Sequence, residues 1–204
     1  RDPGEVRLAE IAPVAFARGT RITLACGRQQ PVEALVPGDR VLTRDHGAQP
    51  VLWLSRRRYR ARGRWAPVTI AAGLLGNAGP LTVSQDQRLF IYQNARPRLA
   101  KTPEILVRAG DLVNGREVTI RAGGYVDYVH LLFERHEIVY AECIPTESLL
   151  LDSRRLANLP EPLADEAAER FAGLRHAQHY GSDLSGATLA GQGPALLPPR
   201  RGGV

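Results

Sequence analysis

The stretch AFARGTRITLACGRQQPVEALVPGDRVLTRDHGAQPVLWLSRR, residues 15–57, decides the fold. It carries no helical stripe. Its apolar runs are short and split by turn residues: 21–25 reads as a strand, 31–36 as a bend or one helical turn, and Pro37-Gly38-Asp39 as a tight turn. Val41-Leu42-Thr43 reads as the next strand, Asp45-His46-Gly47 as its turn, and 50–54 as another strand.

The same texture continues outward. Strands are expected over 68–70, 81–84, 89–93, 105–107, 117–121, 126–133, 137–141 and 148–151, with a glycine loop at Gly73, Gly76 and Gly79. Many short strands at close spacing predict an all-β domain over 15–155. Beyond it, Leu163, Ala167, Phe171 and Leu174 recur at helical spacing, predicting an amphipathic C-terminal helix over 162–177, and 181–204 reads as a tail rich in Gly and Pro. Residues 1–14, RDPGEVRLAEIAPV, read as a polar leader. The three expected parts are thus 1–14, 15–155 and 156–204. The chain starts at Arg1 and contains no Met, so a piece of a longer polypeptide is expected, one that keeps its leader.

Composition excludes several classes. With 204 residues, 44% hydrophobic and 24% charged, the chain has material for a real core and is not disordered throughout. No apolar run approaches the roughly 20 residues of a membrane helix, so membrane association is not expected. The net charge of +6 is local. Arg56, Arg57, Arg58, Arg60, Arg62 and Arg64 cluster beside Trp53, Tyr59 and Trp65; setting these six aside leaves 21 basic residues against 21 acidic. Such a cluster suits an anionic partner, yet an Arg-rich hairpin loop with solvated or locally paired guanidiniums explains it more simply. One cluster in a neutral background does not predict nucleic-acid binding.

Ordinary catalytic motifs are missing: no phosphate-cradling glycine loop and no nucleophile elbow. Cys26 and Cys143 are too few for a disulfide scaffold or a thiolate zinc site, and sequence does not say whether they pair. Both read most simply as inert thiols, Cys143 as a small buried one. His176 and His179 read as helix-end charges. His130 and His136, an even number apart, would share one face of a straight strand.

Three ordered segments resemble a known family. Residues 15–57 resemble the opening of a Hint domain, the hedgehog/intein self-processing module, of the bacterial hedgehog-like type. LTVSQDQRLF (81–90) is similar to its second block, a Ser or Thr followed after two residues by His. YVHLLFERHEIVYAECIPTESLLLD (128–152) is similar to its C-terminal blocks. The resemblance implies a horseshoe-like all-β fold and autoprocessing. A Cys or Ser at the first position attacks the preceding carbonyl, here that of Val14, and turns the amide into a thioester by an N–S acyl shift. Water, a thiol, an alcohol or an amine then cleaves it. The implied partners are the chain's own upstream segment and that nucleophile, and a monomer is expected. No cofactor and no metal are implied. Localisation would follow from a larger bacterial protein, secreted or at the cell surface.

The sequence departs from the family pattern at two positions. The nucleophile position is Ala15, whose methyl cannot attack a carbonyl. The second-block His position is Gln87, which cannot shuttle a proton near neutral pH. Ser84 keeps the hydroxyl position. Inteins finish with His-Asn; the matching positions here are Glu147 and Ser148, neither able to cyclise as Asn does, so hedgehog-type N-terminal cleavage fits the parent better than splicing. His136 matches the family's late His, and His130 stands where inteins often carry Asp, so either could serve as acid or base. Asp86, Asp127 and Cys143 are possible neighbours, Cys143 standing where the family usually has Gly. Residues 156–204 lie where hedgehog proteins carry a sterol-binding extension, but they hold too little apolar sequence for that role. The two losses fit a deliberately disabled, uncleaved precursor or a natural domain that has lost processing. The alternative is a non-catalytic Hint-fold module that binds or presents a partner through the 56–64 loop.

Overall fold

A computed structural model describes residues 14–92, 104–151, 174, 176, 182–184 and 193–198. The leader up to residue 13, the expected helix over 162–177 apart from residues 174 and 176, and most of the tail lie outside the described residues.

The described chain is built of short strands: β1 (Phe16–Ala17), β2 (Arg21–Thr23), β3 (Gln29–Pro31), β4 (Arg40–Thr43), β5 (Gly47–Pro50), β6 (Trp53–Arg60), β7 (Val68–Ile70) and β8 (Leu81–Val83). Then follow β9 (Arg88–Tyr92), β10 (Glu104–Arg108), β11 (Val118–Ile120), β12 (Tyr125–Leu132), β13 (Ile138–Ala141), β14 (Ile144–Glu147) and β15 (Ser182–Leu184). They form two sheets. The six-stranded sheet runs β11-β7-β8-β1-β12-β6; the nine-stranded sheet runs β15-β10-β9-β14-β13-β2-β3, with β4 and β5 attached through β13. All pairings are antiparallel except β10 with β15.

Alternation of side chains explains the strands. Val68 and Ile70 point into the core while Thr69 stays half-buried, and Leu81 and Val83 do the same around Thr82. Thr69 and Thr82 meet on the outer face, their hydroxyls 3.1 Å apart. Phe16, buried between β8 and β12, joins the main core with Val83 and Val129, its partners in register. Three crossings, at 18–20, 84–87 and 133–137, carry the chain from the six-stranded sheet to the nine-stranded one. The seam between the sheets is therefore where sequence-distant segments meet.

Several expectations are corrected. The arginine cluster is not a hairpin loop: Arg56, Arg57, Arg58 and Arg60 lie within β6, and only Arg62 and Arg64 fall in the turn that follows. The cross-strand partners on β12 make this possible. Arg58 forms two hydrogen bonds with Asp127 (2.6 and 2.9 Å), and Arg60 lies over the Tyr125 ring. The expected strand at 148–151 is replaced by β14, which ends at Glu147. His130 and His136 do not share a strand, because β12 ends at Leu132. His176 is no helix-end charge: it is buried, accepts the Leu151 N–H at Nδ1 (3.2 Å) and lies 3.1 Å from the Phe133 carbonyl through Nε2. Using both nitrogens this way requires the neutral Nε2–H tautomer. Cys143 is exposed rather than buried, and neither cysteine forms a disulfide.

Candidate active site

β1 lies in the interior of the six-stranded sheet, so position 15 is gripped from the β8 side. The Ala15 N–H, which is the amide nitrogen of the Val14–Ala15 bond, donates to Ser84 Oγ at 3.0 Å. The Ser84 N–H donates back to the Ala15 carbonyl at 2.9 Å. Val14, Ala15 and Ser84 are all buried, at 4%, 2% and 2% exposure. Phe16 pairs with Val129 and Ala17 with Tyr128, so continuing that register by one residue sets His130 across from Ala15. His130 is buried, and its Nδ1 lies 2.9 Å from Ser55 Oγ on β6.

The Ala15 methyl belongs to a small apolar cluster with Ala17, Ala61, Val126 and Tyr128, packed against Tyr59 and Trp65. Tyr59 and Trp65 stack at 4.1 Å, and the Tyr128 hydroxyl donates to the Trp65 carbonyl at 3.1 Å. Burial pushes the Tyr128 phenol well up, with Tyr59 adding to the shift, so it stays protonated. Gln85 ties the turn carrying Trp65 to the site, its amide donating to the carbonyls of Gly63 (2.7 Å) and Ala66 (2.9 Å).

The 84–87 turn is closed by the Gln87 N–H on the Ser84 carbonyl, 3.2 Å. Gln87 is completely buried. Its Nε2 donates to the Glu147 carbonyl at 2.7 Å, while Oε1 has no hydrogen-bond partner. Next along the chain, Arg88 donates through Nε and an Nη to the two carboxylate oxygens of Glu147, both at 2.7 Å. His136 Nε2 lies 3.3 Å from Glu147 Oε2, an ion-pair distance that is not aligned as a hydrogen bond. Burial alone would raise the Glu147 carboxyl, but the contacts with His136 and Arg88 outweigh it and hold it below the usual carboxylate range.

The other expected residues divide. Ser148 is buried beside this network, exchanging two hydrogen bonds with Glu137: Oγ accepts its N–H (2.9 Å) and the Ser148 N–H donates to its carbonyl (2.8 Å). Asp86 sits on the half-exposed side of the turn, 3.6 Å from Arg108. Asp127 lies on the sheet's outer face, held ionised by Arg58, and is not part of the site. Cys143 is in the turn between β13 and β14, its Sγ accepting from Gln29 Nε2 at 3.1 Å. The structure thus brings Val14, Ala15, Ser84 and the His130 position together on one sheet. Gln87, His136 and Glu147 gather on the other side of the 84–87 turn, with Ser148 alongside.

Sequence reasoning missed Arg88, Ser55 and Glu137. Arg88 had a signal, because a charge opening the apolar strand RLFIY demands a buried partner. Glu137 is buried and holds the half-exposed His46 through Nδ1 at 2.8 and 3.0 Å. No group of three or more His, Cys, Asp or Glu among the described residues is placed to hold a metal ion. No described helix is long and apolar enough to cross a membrane.

The sequence pattern that defines the Hint domain matches residues 14–153. No curated protein sequence matches the chain. Among solved structures, the chain is similar to a bacterial intein-like domain from Clostridium thermocellum: 15% identity, TM-score 0.45, covering 66% of this chain and 97% of that one. It is also similar to a DnaB intein from Synechocystis sp. PCC 6803: 12% identity, TM-score 0.42, covering 67% and 99%. The match over residues 14–153 takes in more than half of the chain and every strand from β1 to β14. The chain therefore belongs to the Hint-domain family.

Proposed function

We propose that this chain is a Hint domain whose parent reaction is an N–S acyl shift at the Val14–Ala15 bond, and that Ala15 and Gln87 keep it as an uncleaved precursor. The observation that carries this reading is the hydrogen bond from the Ala15 N–H to Ser84 Oγ. It engages the one nitrogen that must leave.

With Cys at position 15, the sulfur attacks the Val14 carbonyl carbon, and the thiol proton passes to a base. The C–S bond forms, the C–N bond breaks, and the released nitrogen takes a proton to become the amine of residue 15. The thioester then passes its acyl group to water, a thiol, an alcohol or an amine. Nucleophile and carbonyl are neighbours in one chain, so the entropic cost of bringing them together is already met. Ser84 steadies the departing N–H or the tetrahedral centre, and a His at position 87 would supply the proton. Ala15 removes the first step altogether, and Gln87 removes the proton shuttle. The orphaned Oε1 of Gln87 supports the view that this buried position suits another side chain. His130 and His136 are proposed as acid or base for later departure steps. Residues 1–14 are read as the retained upstream segment and 156–204 as an extension of the domain.

Restoring both groups, Ala15→Cys with Gln87→His, releases a fragment ending at Val14 when dithiothreitol or hydroxylamine is supplied. Persistence of the intact mass overturns the reading. A second reading, binding or presentation through β6, is favoured by Arg56, Arg58 and Arg60 alternating at exposed positions. It predicts salt-sensitive binding of an anionic partner, lost when these arginines are replaced, and an inert double revertant.

A further inference from the structure

We propose that Glu147 is a positioning residue for this site: from β14 it grips positions 87 and 88 and so holds the 84–87 turn, and the Ser84 hydroxyl with it, against the Ala15 N–H. The inference rests on reading Val14–Ala15 as the site.

The geometry points to Glu147 because it uses both its backbone and its side chain on consecutive residues. Its carbonyl accepts the Gln87 amide, and its carboxylate takes both donors offered by Arg88, each at 2.7 Å. Gln87 ends, and Arg88 follows, the turn whose other end, Ser84, touches the Val14–Ala15 peptide. His136, on the neighbouring 133–137 crossing, approaches the same carboxylate at 3.3 Å. Glu147 thereby links two of the crossings that join the sheets. The turn has other ties: Ala109 N–H to the Gln87 carbonyl, Gly110 N–H to the Gln85 carbonyl, and Gln85 to Gly63 and Ala66. Those ties engage the turn's backbone and Gln85; the side chains of Gln87 and Arg88, across the turn from Ser84 and Ala15, are held from β14. Charge-assisted and bidentate, the Arg88–Glu147 contact is also stiffer than a single neutral hydrogen bond.

The test uses the chain as it stands and needs no cleavage, so a failed revertant and a failed positioning role are told apart. In nitrogen-15-labelled protein, the Ala15 amide reports on its bond to Ser84. The Arg121 amide, bonded to the Pro67 carbonyl at 2.9 Å, reports on the β7–β11 edge of the same sheet. Glu147→Gln is expected to speed Ala15 amide exchange by about tenfold or more and to move its proton shift toward that of Ser84→Ala. Arg121 exchange changes by less than about twofold. Should the single variant fail to fold, Glu147→Gln with Arg88→Gln removes the unpaired charge and is read the same way. A folded variant in which the Ala15 amide moves no more than Arg121, or in which both accelerate equally, overturns the proposal.

Discussion

Replacing Ser84 by Ala tests whether the Val14–Ala15 peptide is held as described. The change deletes one oxygen, and that oxygen accepts the Ala15 N–H at 3.0 Å. The donor is left in a place water does not reach, since Val14, Ala15 and residue 84 are exposed by no more than 4%. A hydrogen bond lost to solvent costs little, but a buried donor left without a partner costs about 1–3 kcal/mol. With a urea slope near 2 kcal/mol per molar, the unfolding midpoint falls by about 0.5–1.5 M and the slope itself is unchanged. Thr69→Ala is the control. It removes a hydroxyl from a half-buried pair with Thr82, where water can substitute, so about 0.5 kcal/mol or less is expected. Urea titration followed by tryptophan fluorescence measures both. If Ser84→Ala is no more destabilising than Thr69→Ala, the Ala15 N–H is not satisfied by Ser84, and the geometry assigned to the site is wrong.

Two other outcomes follow from the same structure. Glu142 and Cys143 form the turn between β13 and β14 with φ of 48° and 70°, a left-handed pair that favours glycine. Cys143→Gly is therefore expected to stabilise the domain by about 0.5–1 kcal/mol, the relief of strain outweighing the added freedom of the unfolded chain; thermal unfolding measures it. The Glu147 carboxyl is held below its unfolded value of about 4.3, so its ionised form favours the folded state. That contribution is full above the unfolded value and is lost as pH falls through the lower folded value. Compared with the neutral Arg88→Gln, Glu147→Gln pair, the parent should lose stability more steeply below about pH 4, and denaturant titrations at several pH values measure the difference.

The sequence made some elements legible and hid others for identifiable reasons. Val68–Ile70, Leu81–Val83 and Ile138–Ala141 alternate or run apolar between turn residues, so local pattern sufficed. β6 was hidden because its second half alternates Arg with Arg and Tyr; the strand exists through its register with β12, which only the tertiary fold supplies. β14 was hidden by Pro145, a residue that argues against a strand, although it sits near the strand's start, before Thr146 pairs with Leu89. β1 is two residues long and gains its place from β8 and β12 on either side. In the site, Ala15, Ser84 and Gln87 were legible through the resemblance of residues 15–57 and 81–90 to the family's motif blocks. The pairing of Arg88 with Glu147 was not, since the partners are 59 residues apart and no local rule joins charges at that distance. Ser55 beside His130 was invisible for the same reason.

The central claim is that the Val14–Ala15 bond is the parent cleavage point and that two side chains silence it. Its most direct measurement is intact-mass spectrometry of the Ala15→Cys, Gln87→His protein, incubated at neutral pH with hydroxylamine and compared with the unaltered chain. The account predicts a time-dependent pair of products in the altered protein. One ends at Val14 and carries the hydroxamate that traps a thioester; the other begins at residue 15; the unaltered chain stays whole. A folded double variant that stays whole under the same conditions, or that breaks at any other bond, contradicts it.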